Sequence, residues 1–407
     1  MKLKSTVHGW TLFFLGALIV PLAGFGERDA APAEHTENAR QTLAWTAAYL
    51  WGKQSPDGSW RSETYGLLKS GQSFTPFVLF ALSEIPSGVA TPPDGTIERA
   101  MNSLRRMGNE EGVHGRADTD VLDYPNYATA YALRCFLRYG KKDDKKHIEN
   151  MTEYLLGQQF SEVAGFHPDS PAYGGWGFGI NHRPTLSSFV DLSHTRRVLT
   201  ALVAANKVDA KTKGRAKRFL SLLQKNPDEK RSPLIPTTKP IASGFIPPPY
   251  DGGFFSSPNM SYANKGRIDK DPLTGRPYYR SYATATCDGV LALLALNVTK
   301  TDDRVLDAIG WLKRHSGWNL PQGIPSEHSE PWDESMIYYH CAARAEVFNK
   351  LAITGDWSRE LHAFLSERQS EDGSFLNPYG RLMKEDDPIL CSTLALIALS
   401  NAVKESG

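Results

Sequence analysis

One short turn is repeated almost identically near both ends of the chain, and this repeat constrains the fold more than any other feature. Lys53–Trp60 reads KQSPDGSW, and Arg368–Phe375 reads RQSEDGSF. Each turn separates two different kinds of helix: the preceding helix is apolar on one face, and the following helix is apolar on every side. The repeat therefore predicts a unit of helix, loop and helix that recurs through the chain.

Hydrophobic periodicity locates six such units. In the last unit, Trp357, Leu361, Phe364 and Leu365 fall on one helical face, whereas Ile389–Val403 is apolar all round and must be surrounded by protein. The predicted helix pairs, in chain order, are Leu43–Trp51 with Phe74–Ile85, Ile97–Met107 with Tyr127–Tyr139, Ile148–Gln158 with Leu192–Asn206, Ala216–Gln224 with Tyr282–Val298, Val305–Lys313 with Met336–Leu351, and Trp357–Leu365 with Ile389–Val403.

Strict alternation of half-exposed and fully buried helices predicts the fold class. Six buried helices form an inner ring and six amphipathic helices cover it from outside, which is an all-α fold, an α/α toroid. An open α-solenoid is the alternative, although its second helices would keep an exposed face. We expect one toroid domain over residues 41–407, with long loops at 159–190 and 226–280. Whether these loops cover a mouth of the toroid or are solvated insertions stays open.

The first 26 residues have the pattern of a secretory signal. Lys2 and Lys4 precede an apolar run from Trp10 to Phe25, and small residues follow near a plausible cleavage point. We predict a signal peptide over 1–26, a linker over 27–40, and export to the periplasm or the extracellular space. A retained membrane anchor is the alternative.

Charge and cysteine usage narrow the classes of partner. The 46 Lys and Arg residues balance 45 Asp and Glu residues, so no net positive field favours nucleic acid, and nothing indicates an obligate protein partner. Four cysteines, Cys135, Cys287, Cys341 and Cys391, lie far apart in apolar helical patterns. This placement favours buried thiols over a disulfide framework.

The repeated turns also carry a family resemblance. QSPDGSW and QSEDGSF, with LLGQQ and YGGWGFG between Leu155 and Gly179, resemble the glutamine-tryptophan repeats of squalene-hopene cyclases and the related prenyltransferase repeats. The inner-helix openings VDLSHT, SYATATCDGVLALLAL and DPILCSTLALIAL are similar to the same group, over nearly the whole mature chain. The resemblance implies a divergent, secreted bacterial-type member with the terpenoid-cyclase toroid and a central cavity for a large hydrophobic, isoprenoid-type ligand.

Two departures separate the chain from the reactions of those families. The Asp-x-Asp-Asp motif with which squalene-hopene cyclases protonate an alkene is absent; the nearest stretches are DTDV at Asp118–Val121 and KEDD at Lys384–Asp387. Prenyltransferase β subunits hold zinc with Asp, Cys and His. By that resemblance Cys287, Asp288 and His340 are weak metal-ligand candidates, but their order and spacing differ, so we predict no metal and no cofactor.

Polar residues at the openings of the inner helices are the candidates for chemistry, because the N-termini of these helices would face one mouth of the cavity. We predict Asp191, His194, Asp123 and His340 as catalytic residues. Asp191 and His194 are three residues apart and hence on one helical face, where a carboxylate can orient an imidazole as acid or base. Two simpler roles stay open: Asp191 as a helix N-cap, and His340 as a core histidine.

Aromatic residues recur at the same openings, and we predict Tyr127, Trp176, Tyr282 and Tyr338 as substrate-binding residues. Such rings line cavities for apolar ligands or stack on sugars, and ordinary core packing is the simpler role. The sequence therefore predicts a protein that binds a hydrophobic small molecule or lipid and, if it is an enzyme, transforms it. The alternatives are a non-catalytic binding or scaffold toroid and a polysaccharide-active α/α barrel.

Overall fold

The computed structural model describes residues 32–116, 123–179, 189–235, 248–265, 268–324 and 330–405. In these parts of the chain it has twelve α-helices and two pairs of short antiparallel strands, which confirms the all-α class. The helices are α1 Pro32–Gly52, α2 Phe74–Ser83, α3 Thr96–Met107, α4 Pro125–Tyr139, α5 Lys145–Gly157, α6 Leu192–Ala204, α7 Ala210–Leu223, α8 Ala283–Ala295, α9 Asp303–Arg314, α10 Ile337–Leu351, α11 Trp357–Ser366 and α12 Pro388–Glu405. The strands are β1 Trp176–Gly177 paired with β2 Val190–Asp191, and β3 Ile268–Lys270 paired with β4 Pro277–Tyr279.

The even-numbered helices form a closed inner ring. Each packs against the next even-numbered helix, and α12 returns to α2. The odd-numbered helices lie outside and pack on the inner ones, with α1 against α12. Burial follows the same division, because every residue from Ala283 to Leu293 of α8 is buried, whereas α3 buries only five of its twelve residues. The closed ring excludes an open solenoid and confirms the α/α toroid.

The first helix begins earlier than the sequence predicts. α1 starts at Pro32, inside the stretch expected to be a linker, and Ala39 and Leu43 are buried in the core. Proline suits a first helical position, because its missing N–H would have no partner there. The predicted signal peptide lies outside the described residues. Among the helices that the structure describes, none has the length and apolar character needed to span a membrane.

A glutamine just after the last outer helix joins the end of the chain to its beginning. Gln369 donates from Nε2 to the carbonyl of Thr42 at 3.0 Å, to the carbonyl of Gly373 at 3.3 Å and to Thr46 Oγ1 at 2.9 Å. Because Thr42 and Thr46 belong to α1, this contact closes the outer ring. Equivalent contacts bind Gln54 to the carbonyl of Thr96, Gln159 to that of Thr212 and Gln224 to that of Arg304.

The glycine and the aromatic residue of the turn have separate structural tasks. Gly373 has a φ of +85°, and a Cβ there would lie 2.5 Å from the carbonyl oxygen of Trp45 in α1, so only glycine fits. Phe375 is fully buried, and its N–H donates to Ser392 Oγ of α12 at 2.9 Å. The same N–H to hydroxyl bond recurs between Trp60 and Thr75, His114 and Thr129, Trp176 and Thr195, and Phe254 and Thr286. The repeated turn therefore serves as scaffold between an outer and an inner helix.

We expect Gly373→Ala to lower the free energy of unfolding by about 2–3 kcal/mol, because the new Cβ meets the α1 backbone and alanine disfavours positive φ. Urea unfolding followed by circular dichroism measures the change. The control is Glu371→Ala, an exposed position in the same turn, which should stay within about 0.5 kcal/mol of wild type. An unchanged midpoint in Gly373→Ala would contradict the role given to this contact.

Candidate functional site

A central cavity lies at the end of the ring where the inner helices begin. Its volume is about 280 Å³, at the lower end of the range typical of small-molecule sites. All six inner helices contribute lining side chains from their first turns. The apolar and aromatic lining includes Phe74, Phe77, Tyr127, Phe178, Leu390 and Leu394, and the polar lining includes Asp191, His194, Lys265, Asp288, Tyr339 and Glu385. The lining thus combines apolar and aromatic surface with polar side chains, which suits a ligand that is mostly apolar and carries a polar group.

Asp191 and His194 form a buried pair at the start of α6. Asp191 caps the helix, because its Oδ1 accepts the N–H of His194 at 2.9 Å, and the same oxygen accepts the hydroxyl of Ser193 at 2.9 Å. Its Oδ2 lies 2.8 Å from His194 Nδ1. The structure thus combines the two roles that the sequence left open, the N-cap and the carboxylate that orients an imidazole.

The charge state of Asp191 sets the tautomer of its partner. Burial opposes ionisation of Asp191, but the charge of His194 and the hydrogen bonds from His194 and Ser193 hold its pKa below its ordinary value. An ionised Asp191 accepts the proton on Nδ1 of a neutral His194, which leaves Nε2 as the acceptor. Within the described part of the chain, His194 Nε2 has no hydrogen-bond partner, although the side chain is only 5% exposed. This nitrogen is available to exchange a proton with a ligand.

Aromatic rings enclose the imidazole of His194. The ring centroids of Phe178 and Tyr127 lie 4.7 and 4.8 Å from it, both edge to face, and Tyr124 lies at 6.4 Å. Because ring faces carry partial negative charge, they tolerate a positive charge nearby. The imidazole therefore lies among aromatic rings and is almost fully buried.

A cluster of buried ions continues from the cavity wall into the interior of the ring. Arg196 of α6 lies 2.6 Å from Asp288 of α8 and also binds Glu346 of α10, and Tyr339 donates to the other oxygen of Asp288 at 2.7 Å. Arg197 approaches Glu346 at 3.9 Å. Burial opposes ionisation of Glu346, but the two arginines outweigh it and lower the pKa of the carboxyl to about 2. Three inner helices are therefore joined by compensated charges.

Glu385 lines the cavity and caps a neighbouring helix. Its carboxylate accepts the N–H groups of Tyr338 at 3.0 Å and Tyr339 at 2.7 Å, in the first turn of α10, and the side-chain amide of Asn377 at 2.9 Å. Burial raises the pKa of Glu385 to about 7, although these hydrogen bonds act in the opposite direction. The hydrogen bonds from Tyr338, Tyr339 and Asn377 hold the scaffold together.

The two aspartates after Glu385 also have structural partners. Asp387 Oδ1 accepts the N–H groups of Ile389 at 3.0 Å and Leu390 at 3.1 Å, and so caps α12. Asp386 accepts the hydroxyl of Tyr65. The aspartate pair therefore belongs to the start of α12 and its contacts. The other partial acid motif, DTDV at residues 118–121, lies outside the described residues.

The structure brings four of the eight predicted site residues to the cavity, namely Asp191, His194, Tyr127 and Tyr282. Two predicted aromatic residues pack elsewhere. Trp176 is fully buried and donates from Nε1 to the carbonyl of Leu155 at 2.8 Å. Tyr338 packs edge to face on Phe375, with centroids 5.7 Å apart.

The other two predicted catalytic residues, Asp123 and His340, also lie outside the cavity lining. Asp123 accepts the hydroxyls of Ser70 at 2.8 Å and Ser73 at 2.7 Å, and burial raises its pKa. His340 is fully buried with Nε2 3.0 Å from the carbonyl of Gly317, and burial lowers its pKa to about 3. This is the core-histidine role that the sequence left open.

The weak metal-ligand candidates do not come together. Asp288 is bound by Arg196, and His340 by a backbone carbonyl. Among the residues that the structure describes, no three His, Cys, Asp or Glu side chains form a group able to hold a metal ion. All four cysteines are buried free thiols, as predicted, and burial raises the pKa of Cys287 to about 12.

Several cavity residues were missed by the sequence analysis, notably Lys265, Tyr339 and Arg197. Lys265 lies in a loop without helical or strand periodicity, so no sequence pattern predicted its position in the cavity. Tyr339 lies between two residues that were predicted. The signal that was available for Arg197 was its position three residues after His194, which places both on one face of α6.

Comparison with known proteins identifies the fold but no family. No protein-family model matches the chain, and no curated protein matches it. A variant of the type II terpene cyclase MstE from Scytonema, in complex with geranylgeranyl dihydroxybenzoate, is 12% identical over 91% of this chain and 98% of its own, with a TM-score of 0.53. The GH76A α-1,6-mannanase from Salegentibacter sp. HEL1_6 is 13% identical over 92% of this chain and 100% of its own, with a TM-score of 0.50.

Identities this low show a shared fold and leave the reaction undetermined. Both neighbours are α/α toroids, so the predicted architecture and the terpenoid-cyclase type of fold are confirmed. The finer prediction, membership of the squalene-hopene cyclase group, stays a prediction.

Proposed function

We propose that this protein binds an isoprenoid-type molecule carrying one polar group in its central cavity, and that His194 transfers a proton to or from that group. One observation carries the proposal: the buried Asp191–His194 pair lies in the wall of an aromatic, mostly apolar cavity with Nε2 of His194 lacking a partner among the described residues. An oriented imidazole with a free nitrogen beside the ligand is well suited to general acid or base catalysis.

The lining supports an apolar ligand with a polar end. Phe77, Tyr127, Phe178 and Leu394 offer apolar or aromatic surface, whereas polar lining residues such as Asp288 and Glu385 are already bound by other groups of the protein. Burying an unpaired polar group costs free energy, so a ligand rich in hydroxyls would leave many of its groups without partners in this chamber. The lipid bound by the MstE structure is consistent with such a ligand, and it enters here as support by analogy of fold.

The Asp191–His194 pair is too weak an acid to protonate an unactivated alkene. Asp191 has a lowered pKa, so it is a carboxylate at neutral pH, and it orients His194 through Nδ1 as the group that exchanges a proton. Protonating a carbon–carbon double bond needs a far stronger acid than an imidazolium ion. Proton transfer at an oxygen or nitrogen atom of the ligand is the reaction that this pair supports, in agreement with the missing Asp-x-Asp-Asp motif.

Two other functions remain as alternatives. A polysaccharide-active barrel needs two carboxylates that face each other across the substrate. In the described cavity wall Asp191, Asp288 and Glu385 are bound by His194, by Arg196 with Tyr339, and by helix N–H groups respectively. A non-catalytic binding toroid would use the same cavity without proton transfer.

Binding of farnesol, a fifteen-carbon alcohol, tests whether the cavity takes an isoprenoid-type ligand. Mannotriose represents the sugar ligands of the alternative function. We expect titration calorimetry to detect farnesol, and Tyr127→Ala to weaken it about tenfold, or about 1.4 kcal/mol, because the ring forms part of the wall. Tyr139→Ala, at the other end of α4 and also partly buried, is the control and should bind normally. Binding of mannotriose alone would contradict the proposal in favour of the sugar-active barrel.

Proton transfer is tested by His194→Gln and Asp191→Asn. The purified protein is incubated with a lipid extract of the source cells, and products are followed by gas chromatography and mass spectrometry. We expect both variants to retain farnesol binding while product formation falls at least about 100-fold, because the acid–base group or its orientation is lost. If the wild-type protein forms no product and still binds farnesol, the binding toroid replaces the enzyme.

We also propose that the chain is exported, on the charge and hydrophobicity pattern of residues 1–26. N-terminal sequencing of the protein from fractionated cells measures this directly. We expect a mature chain that begins after residue 26 in the periplasm or the medium. An uncleaved chain in the membrane fraction would favour the anchor instead.

A further inference from the structure

Lys265 is a charged side chain that neither the fold nor the proposed proton transfer uses. It lines the cavity and is only 6% exposed. Its Nζ lies 3.6 Å from the sulfur of Met383 and 4.9 Å from the ring centroid of Trp332. The ion pairs among the described residues, which join atoms within 4.0 Å, do not include Lys265. A buried ammonium without a paired anion is costly, and in a cavity it is commonly functional.

A second buried lysine, Lys225, has a structural role and serves as the comparison for Lys265. Lys225 is 2% exposed, its Nζ lies 2.9 Å from Asp251 Oδ1, and it also donates to the hydroxyl of Ser281. Its charge is compensated, and it does not line the cavity. The two lysines therefore differ in the two properties that matter for reactivity, pairing and access to a ligand.

The loop that carries Lys265 is held against the cavity wall by hydrogen bonds. Oδ1 of Asn264 accepts the N–H groups of Ser256 at 2.7 Å and Ser257 at 2.9 Å, and the carbonyl of Ser256 accepts the N–H of Leu192 at the start of α6. Lys265 itself has a φ of +57°, a conformation that is unfavourable for a residue other than glycine. Its surroundings therefore fix the backbone position from which the side chain reaches the cavity lining.

The surroundings also increase the share of neutral amine. Burial lowers the pKa of Lys265 to about 8, and the carboxylates of Asp191 and Asp288 act in the opposite direction without cancelling the effect. An ordinary lysine has a pKa near 10.4, so at pH 7 the neutral fraction of Lys265 is on the order of 100-fold larger. A neutral amine is a nucleophile, and an ammonium ion is not.

We propose that Lys265 forms an imine with an apolar aldehyde or ketone bound in the cavity. This inference rests on the proposed function, because it takes the same cavity and names a carbonyl as the polar group of the ligand. The geometry behind it is a buried amine without an anionic partner in the wall of the chamber that also holds His194.

The step balances without an oxidant or a reductant. The lone pair of Nζ forms a bond to the carbonyl carbon, the electron pair of the C=O double bond moves to oxygen, and a proton passes from nitrogen to that oxygen. The carbinolamine then loses its hydroxyl group with a proton as one molecule of water, and the C=N bond forms. An acid–base group in the same cavity, His194, is suited to move these protons.

Reductive trapping tests the proposal on the full-length protein. The protein is incubated at pH 7 with citronellal, a ten-carbon aldehyde without a conjugated double bond, and with cyanoborohydride, which reduces an imine to a stable amine. Peptide mapping by mass spectrometry locates the citronellyl group. We expect labelling of Lys265 about tenfold or more above Lys384, the partly buried lysine of the cavity mouth, and above the paired Lys225.

Two further measurements separate site-specific trapping from general amine labelling. Because the neutral amine is the reactive form, labelling of Lys265 should rise with pH through about 8. An excess of citronellol, the corresponding alcohol, should suppress it by occupying the cavity. Lys265→Met should lose the adduct, and if this variant does not fold, the site map of the wild-type protein decides.

The outcomes distinguish this inference from the function on which it rests. If calorimetry detects citronellol in the cavity but Lys265 is labelled no more than Lys384, the imine is excluded and the cavity function stands. If neither citronellol nor farnesol binds, both proposals fail. A single adduct at Lys265 that citronellol prevents supports both.

Discussion

The hydrogen bonds of Gln369 join the last outer turn to α1, and the closed ring depends on this junction. Helices such as α8 and α12 are apolar on all sides and need neighbours in every direction. In an open array the two end helices would expose apolar faces to water. Once α12 packs on both α1 and α2, every inner helix has two inner neighbours and an outer cover. The same closure brings six helix N-termini to one end and thereby creates the cavity.

Much of the fold could be predicted from the sequence, because apolar residues recur at helical spacing along each unit. The twelve helices and their alternation follow from apolar spacing, and the turn was recognised from its two most similar copies. The copies that contain Gly112 and Gly252 were harder to recognise, because the glycine and the N–H to hydroxyl bond of His114 or Phe254 are retained while the other residues change. α1 was predicted too short, since its first residues lack the apolar stripe on which the prediction relied.

The candidate site was predictable only where spacing carries the information. Asp191 and His194 are three residues apart, and a helix places such a pair on one face. In α10 the prediction missed by one position: Tyr338 and His340 were chosen, whereas Tyr339 between them lines the cavity and binds Asp288. A helix turns by about 100° per residue, so adjacent residues face different environments. Lys265 and Glu385 come from loops, where contacts with residues distant in the chain, such as Met383 for Lys265 and Tyr338 for Glu385, decide the position.

The ion cluster of Arg196, Asp288 and Glu346 limits the routes by which a ligand can reach and leave the cavity. Arg196 is 1% exposed and bridges α6 to α8 and α10 across the interior, just beyond the cavity. Opening a path there would break compensated buried charges, which is far costlier than parting apolar side chains. Among the described residues, this cluster therefore closes the interior of the ring beyond the cavity. For the function proposed above, ligand and product would share one route in and out, and release of the product would limit the rate of turnover.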